Sequence, residues 1–280
     1  MIEPANALIL SRLVIFTAIL MVWGAAAFRW GFLPDARRLD YEPMLIALLI
    51  PAILMFLPAH AGRITGGWER AFDPQILGTV IRVTSPGQSW LWLAAAGSSF
   101  VLSWLLRWNR GVLVAGLGLM LGLSMTGHAA GTEGWPGWLR QSNDVLHLAA
   151  SAAWLGALPH VTSLLTRLHM PGTGTVLMRY SRAGHVWVAL TLITGLIATL
   201  WVFRGIPGDL SIRYQLLWWA KVAVTGAMVA LALVNRYLIV PRLKAEPDVL
   251  PRIARNTLAG IWLGLLAVAL VAWFGTLEPR

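Results

Sequence analysis

The chain has 280 residues, of which 58% are hydrophobic and 12% charged. Water-soluble domains carry about 25% charged residues, so composition excludes a water-soluble globule and predicts a bilayer protein. The formal charge is +10 and there is no cysteine; disulfides, thiolate metal sites and cysteine nucleophiles are excluded, and the basic residues fall in short pieces between apolar runs, a pattern of membrane topology and lipid headgroups rather than of a nucleic-acid groove.

A helix that crosses a bilayer takes roughly 20 mainly apolar residues. The first such run, 7–28, is too long for a cleaved signal peptide and lacks a small-residue cleavage site. The second, 43–59, is short, contains Pro51 and ends at His60. A connection over 60–87 follows, with room for a short amphipathic helix at about 73–83. The third and fourth runs are 88–106 and 111–129, the fourth ending "LSMTGHAAG", in which Met125 and His128 are three apart and share a helix face. After a Gly/Pro/Trp-rich turn the fifth run, 142–163, opens with "NDVLHLAASAAWLG"; Asp144, His147, Ser151 and Trp154 recur at three- and four-residue steps and form one stripe. The sixth run is 183–203, the seventh 214–236, with Lys221 about two turns inside it, and the eighth 257–275. These runs predict one all-α domain over 1–280, an eight-transmembrane-helix bundle. No phosphate-binding glycine loop or ATP site is visible, and the expectation is a binding or transport protein rather than an enzyme.

Basic residues orient the bundle. Arg29, Arg37, Arg38, Arg107, Arg110, Arg167, Arg179, Arg182, Arg236, Arg242, Lys244, Arg252 and Arg255 fall on one side, thirteen against the seven of Arg63, Arg70, Arg82, Arg140, Arg204, Arg213 and Arg280. The richer side is expected in the cytoplasm. Both termini and the turn from Thr126 to Asn143 then face the periplasm.

That turn gathers ionisable groups that are rare elsewhere. Two helices joined by a short loop pack antiparallel, so His128 and His147 are expected to meet near the outer surface, with His60 at the same depth. Imidazole and thioether suit copper; imidazole also suits zinc, nickel or haem iron. Asp144, three residues before His147, has two possible roles, ligand or orienter of the imidazole. The plainer alternative is that the histidines sit at the membrane interface and hydrogen-bond headgroups. His160, His169 and His185 fall on the cytoplasmic side and read as interfacial. Met21, Met55 and Met120 read as core filling rather than a soft Cu(I) relay. An ammonium at Lys221 is costly in a bilayer unless paired or hydrated, and Asp144 is its partner by depth.

At these residues the chain resembles the copper resistance protein D (CopD) family. The resemblance rests on "VWGAAAF" in the first run, "DPQILGTVIRVTSPGQSWL" entering the third, "GHA" at His128, "DVLHLAASAAWLGAL" over 144–158 and "YSRAGHVWVALTLITGL" over 180–196. It continues through "YQLLWWAKVAVTGAMVALALVNRYLIVPRL" over 214–243 and the closing "FGTLEP". It implies an eight-helix protein of the bacterial inner membrane that takes up copper delivered by a small periplasmic CopC-type protein. The positions it carries over are His128, Asp144 and His147, with Trp154 and Lys221 as further motif residues and Met125 and His60 as possible extra ligands. Trp92 and Leu93 stand where the family pattern has a basic residue, and Gly260 where relatives commonly have glutamate. Two other readings remain open: a haem-b membrane electron-transfer protein or metal reductase, in which paired histidines are axial ligands, and a membrane assembly partner whose histidines bind nothing.

Overall fold

The computed structural model describes residues 2–126, 134–168, 170–244 and 249–278. Every regular element among them is helical. In chain order these are α1 (Pro4–Gly31), α2 (Glu42–Thr65), α3 (Pro74–Val83), α4 (Ser85–Leu105), α5 (Asn109–Ser124), α6 (Gly134–Leu165), α7 (Thr173–Phe203), α8 (Arg213–Arg242) and α9 (Leu250–Phe274). Helix starts follow local chemistry. Pro4, Pro43, Pro74, Pro86 and Pro251 occupy first turns, where the missing N–H has no helical partner in any case. Asp73 and Thr84 cap α3 and α4 by accepting from the N–H groups of Gln75 and Gly87. Gly66, at φ 82°, closes α2 in the left-handed conformation.

Each of the eight apolar runs falls on a helix, and the amphipathic stretch is α3. The third and eighth runs overshoot their helices by one residue, and the fourth, expected to reach 129, is helical only to Ser124, its last three positions lying outside the described residues. Six helices, α1, α2, α6, α7, α8 and α9, are long and apolar enough to cross a membrane. Of the other two, α5 has 16 residues, about 24 Å at 1.5 Å per residue against a hydrocarbon core near 30 Å. α4 is long enough at 21 residues but is diluted by Ser85, Ser89, Ser98, Ser99 and Ser103. α2 runs through Pro51 and Pro58 and reaches Thr65, six residues beyond the predicted 43–59 end. In an apolar medium the backbone has no better option than to stay helical around a proline.

α1 is the hub: 61% of its apolar window is inside the bundle, against 6% for α8 at the periphery. Its inner half carries a π-helical turn, Ile19–Trp23, which aims the Trp23 indole N–H at the Leu113 carbonyl, 2.9 Å away. Just beyond, α1 crosses α6 at a glycine pair. A Cβ on Gly24 would lie 2.0 Å from the Ala152 carbonyl oxygen, and one on Gly156 would lie 2.2 Å from that of Leu20. Only two glycines allow backbones so close. α6 turns at Gly156 and Ala157 before its last segment.

α9 packs on α8, α1 and the end of α6, while α7 packs on α6. α7 and α8 do not pack along their length but are pinned at both ends. Phe203 meets Tyr214 and Trp218 at one end, with ring centroids 5.7 Å apart in each case. At the other, the Tyr237 hydroxyl lies 3.0 Å from His185 Nε2 and Arg236 donates to Met178 Sδ at 3.2 Å. The bundle thus has one end with the N-terminus and the 66–73 and 204–212 connections, and an opposite end with the 32–41, 106–108 and 166–172 connections.

Candidate metal centre and a buried ion-pair network

At the N-terminal end of the bundle the polar stripe of α6 faces α7. Asn143 Nδ2 donates to the Thr194 carbonyl at 3.0 Å, His147 Nδ1 lies 3.0 Å from Thr194 Oγ1, and the hydroxyls of Ser151 and Thr191 are 3.4 Å apart. The imidazole rests on Gly195, where an added Cβ would stand 3.3 Å from His147 Cε1. Asp144, one turn before His147, is hydrogen-bonded to Asn143 and has Arg140 and Lys221 as its neighbouring cations. Lys221, half-buried on α8, acts electrostatically on both Asp144 and His147 without closing to a contact ion pair. Trp154, the last of the stripe, is buried, and its carbonyl accepts from the Tyr180 hydroxyl at 2.8 Å. Outside the helices, Asp209 takes hydrogen bonds from the hydroxyl and N–H of Ser211 at 2.6 and 2.9 Å, which hold its carboxyl below the usual range.

The other expected ligands fall differently. His128 lies outside the described residues, as does His169. Met125 closes the last turn of α5. His60 does not join the α6 stripe. It stacks on Phe56 at 6.2 Å, its Nδ1 has no hydrogen-bond partner, and its charged neighbours are Arg12 and Arg63. Two guanidinium groups beside one imidazole oppose a copper cation by simple Coulomb repulsion. Arg12 is itself buried, with Nε unpartnered. Its guanidinium lies 5.5 Å from the Phe16 ring centroid and against Gly275 at the C-terminus of α9, the favourable end of a helix dipole for a cation. Among the described residues, no three His, Asp or Glu side chains converge as a metal site.

The opposite end holds a polar centre that sequence reasoning missed. Arg29, in the last turn of α1, makes a bidentate pair with Glu42 in the first turn of α2, at 2.6 and 3.0 Å. Glu42 is fully buried and also accepts from Trp104 Nε1 on α4 and from the Leu39 N–H, both at 3.0 Å. Asn109 of α5 accepts from Arg29 Nε at 3.5 Å and donates to the Ala26 carbonyl at 2.8 Å. Arg38 caps the cluster, its guanidinium 4.0 Å from the Trp104 ring centroid and hydrogen-bonded to the Trp104 carbonyl. His160 belongs here too: it is 4% exposed, stacks on Phe28 at 5.0 Å and lies 3.4 Å from Arg29 Nη1. The expectation that His160 is interfacial is therefore corrected. The bend of α6 at Gly156 carries its last turns inward against α1. Five helices meet at one charge pair. The sequence signal was two opposite charges, thirteen residues apart, at the facing ends of consecutive helices.

Comparison with known proteins adds to this geometry. Residues 1–138 match the copper resistance protein D-like N-terminal domain, and residues 174–274 match copper resistance protein D. The inner membrane protein YebZ of Escherichia coli (strain K12) is 29% identical over 283 residues, covering 96% of this chain and 97% of its own length. Copper resistance protein D of Pseudomonas syringae pv. tomato is also 29% identical, over 298 residues and 96% of each chain. No solved structure matches. With both parts of the family pattern in order and two relatives aligned nearly end to end, the chain belongs to the copper resistance protein D family.

Proposed function

We propose that this protein binds periplasmic copper at the N-terminal end of its bundle and passes it into or across the bacterial inner membrane. The observation that carries the reading is the α6 stripe, where an imidazole and a carboxylate stand one turn apart on a helix of a copper resistance family chain. Nitrogen from His147, with Asp144 as ligand or orienter, suits copper. His128 is the second imidazole of this reading and Met125 a soft third ligand. The relative named an inner membrane protein supports the location. Counting α4 and α5 as crossings gives eight spans, and the basic asymmetry then places both termini in the periplasm. Delivery by a periplasmic CopC-type carrier fits a site at that end. The role is binding and transfer, not catalysis, and movement follows the copper gradient, the membrane potential or trapping inside.

The test is metal content of the purified protein. Wild type should hold copper, His147→Ala should lose it, and Asp144→Asn should bind roughly 10–100-fold more weakly. His60→Ala should keep it, because Arg12 and Arg63 flank that ring. A Soret band in place of copper would replace this reading with haem-based electron transfer, and full occupancy in folded His147→Ala would place the site elsewhere.

A further inference from the structure

The geometry points to Thr194 as a positioning residue that fixes the tautomer of His147, so that Nε2 is the atom presented to the metal. The inference rests on the reading of His147 as a copper ligand, and it follows from one hydroxyl hydrogen. Thr194 Oγ1 lies 2.5 Å from the Leu190 carbonyl oxygen and 3.3 Å from that of Thr191. Carbonyl oxygens only accept, and two oxygens at 2.5 Å repel unless a hydrogen lies between them. The Thr194 hydrogen is therefore committed to its own helix. What Oγ1 turns toward His147 Nδ1, 3.0 Å away, is a lone pair. Nδ1 must carry the hydrogen and donate it.

In the neutral ring this leaves Nε2 unprotonated, and the Thr191 backbone is a second hydrogen-bond partner of the same ring. Metal-bound histidines depend on such a partner at the other nitrogen, which sets the ring's tautomer and direction. Two further contacts hold the seat. Asn143 donates to the carbonyl of the same Thr194 at 3.0 Å, tying α6 to that turn of α7. Gly195 leaves room for the ring's flat side, where a Cβ would press at 3.3 Å. Lys221 is the charged group that acts on the ring, and Asp144 stands one turn before it on α6 with Arg140 and Lys221 as its own charged neighbours.

The experiment uses full-length purified protein and Cu(I) alone, titrated against a chromophoric chelator, beside nitrogen NMR of histidine-labelled apo protein. Thr194→Val keeps the shape and removes the acceptor; it should weaken Cu(I) binding roughly 10–100-fold and shift His147 away from the Nδ1–H tautomer. Thr194→Ser restores the hydroxyl and should restore both. Wild-type affinity in Thr194→Val, an Nε2–H signal in the wild-type protein, or failure of Thr194→Ser to rescue would each overturn the inference. Copper retention by His147→Ala would remove the underlying site assignment instead, while the nitrogen spectrum would still decide the tautomer.

Discussion

Removing the Glu42 charge is expected to be among the most damaging conservative changes in the chain. Glu42 Oε1 accepts from Arg29 Nη1 and the Leu39 N–H, and Oε2 from Arg29 Nη2 and Trp104 Nε1. Glu42→Gln turns one of those oxygens into an amide N–H2, so two donors face a donor. Each unmet donor costs about 1–3 kcal/mol, and breaking a buried pair from one side costs about 3–5 kcal/mol. The terms overlap, so the expected loss is about 3–5 kcal/mol rather than their sum. At about 2–4 °C per kcal/mol for a chain of this size, the midpoint should fall on the order of 10 °C. Arg29→Met should cost less, because the carboxylate keeps Leu39 and Trp104 as donors. The double variant should be more stable than Glu42→Gln alone, since no uncompensated guanidinium remains. The assay is heat-ramped, fluorescence-detected size exclusion of detergent-solubilised protein, run as a double-mutant cycle. Effects that add to within about 0.5 kcal/mol would refute the coupling and with it the account of this network.

Two more outcomes follow from geometry. Gly156→Ala would place a Cβ 2.2 Å from the Leu20 carbonyl oxygen and should destabilise by about 1–3 kcal/mol or more, whereas Gly184→Ala, with nothing within 4 Å, should be neutral or stabilising by up to about 1 kcal/mol; thermal midpoints of the two variants check this. Reporter fusions in the 166–172 and 204–212 connections should report opposite sides of the membrane, the first cytoplasmic. A cytoplasmic signal from 204–212 would reverse the bundle and end the delivery reading.

The helices were legible because apolar runs and first-turn prolines declare themselves along the chain. Pro51 misled about where α2 ends, since proline breaks helices in water but not in a bilayer. Lateral order was not legible. Which helix lies beside which is decided by packing, so His60 shared an expected depth with His147 yet stands beside Arg12 on α1. Arg29 counted as a topology arginine, and nothing local distinguished it from Arg37 or Arg38. Thr194 sits inside "TLITGL", an ordinary lipid-helix string; its role comes entirely from the helix opposite.

The Arg29–Glu42 pair also bears on how the chain enters the membrane. Arg29 leaves the ribosome thirteen residues ahead of its only contact counter-ion among the described residues, and a lone arginine at a helix centre costs about 2.5–3.5 kcal/mol on insertion scales. At the end of α1 it can wait among headgroups while the 32–41 connection is made. Its burial must come later, once α2 has delivered the carboxylate and Trp104 and Asn109 have arrived. The first hairpin therefore settles to its final depth only when the third and fourth apolar runs have been synthesised, which makes early assembly a concerted step rather than a helix-by-helix one.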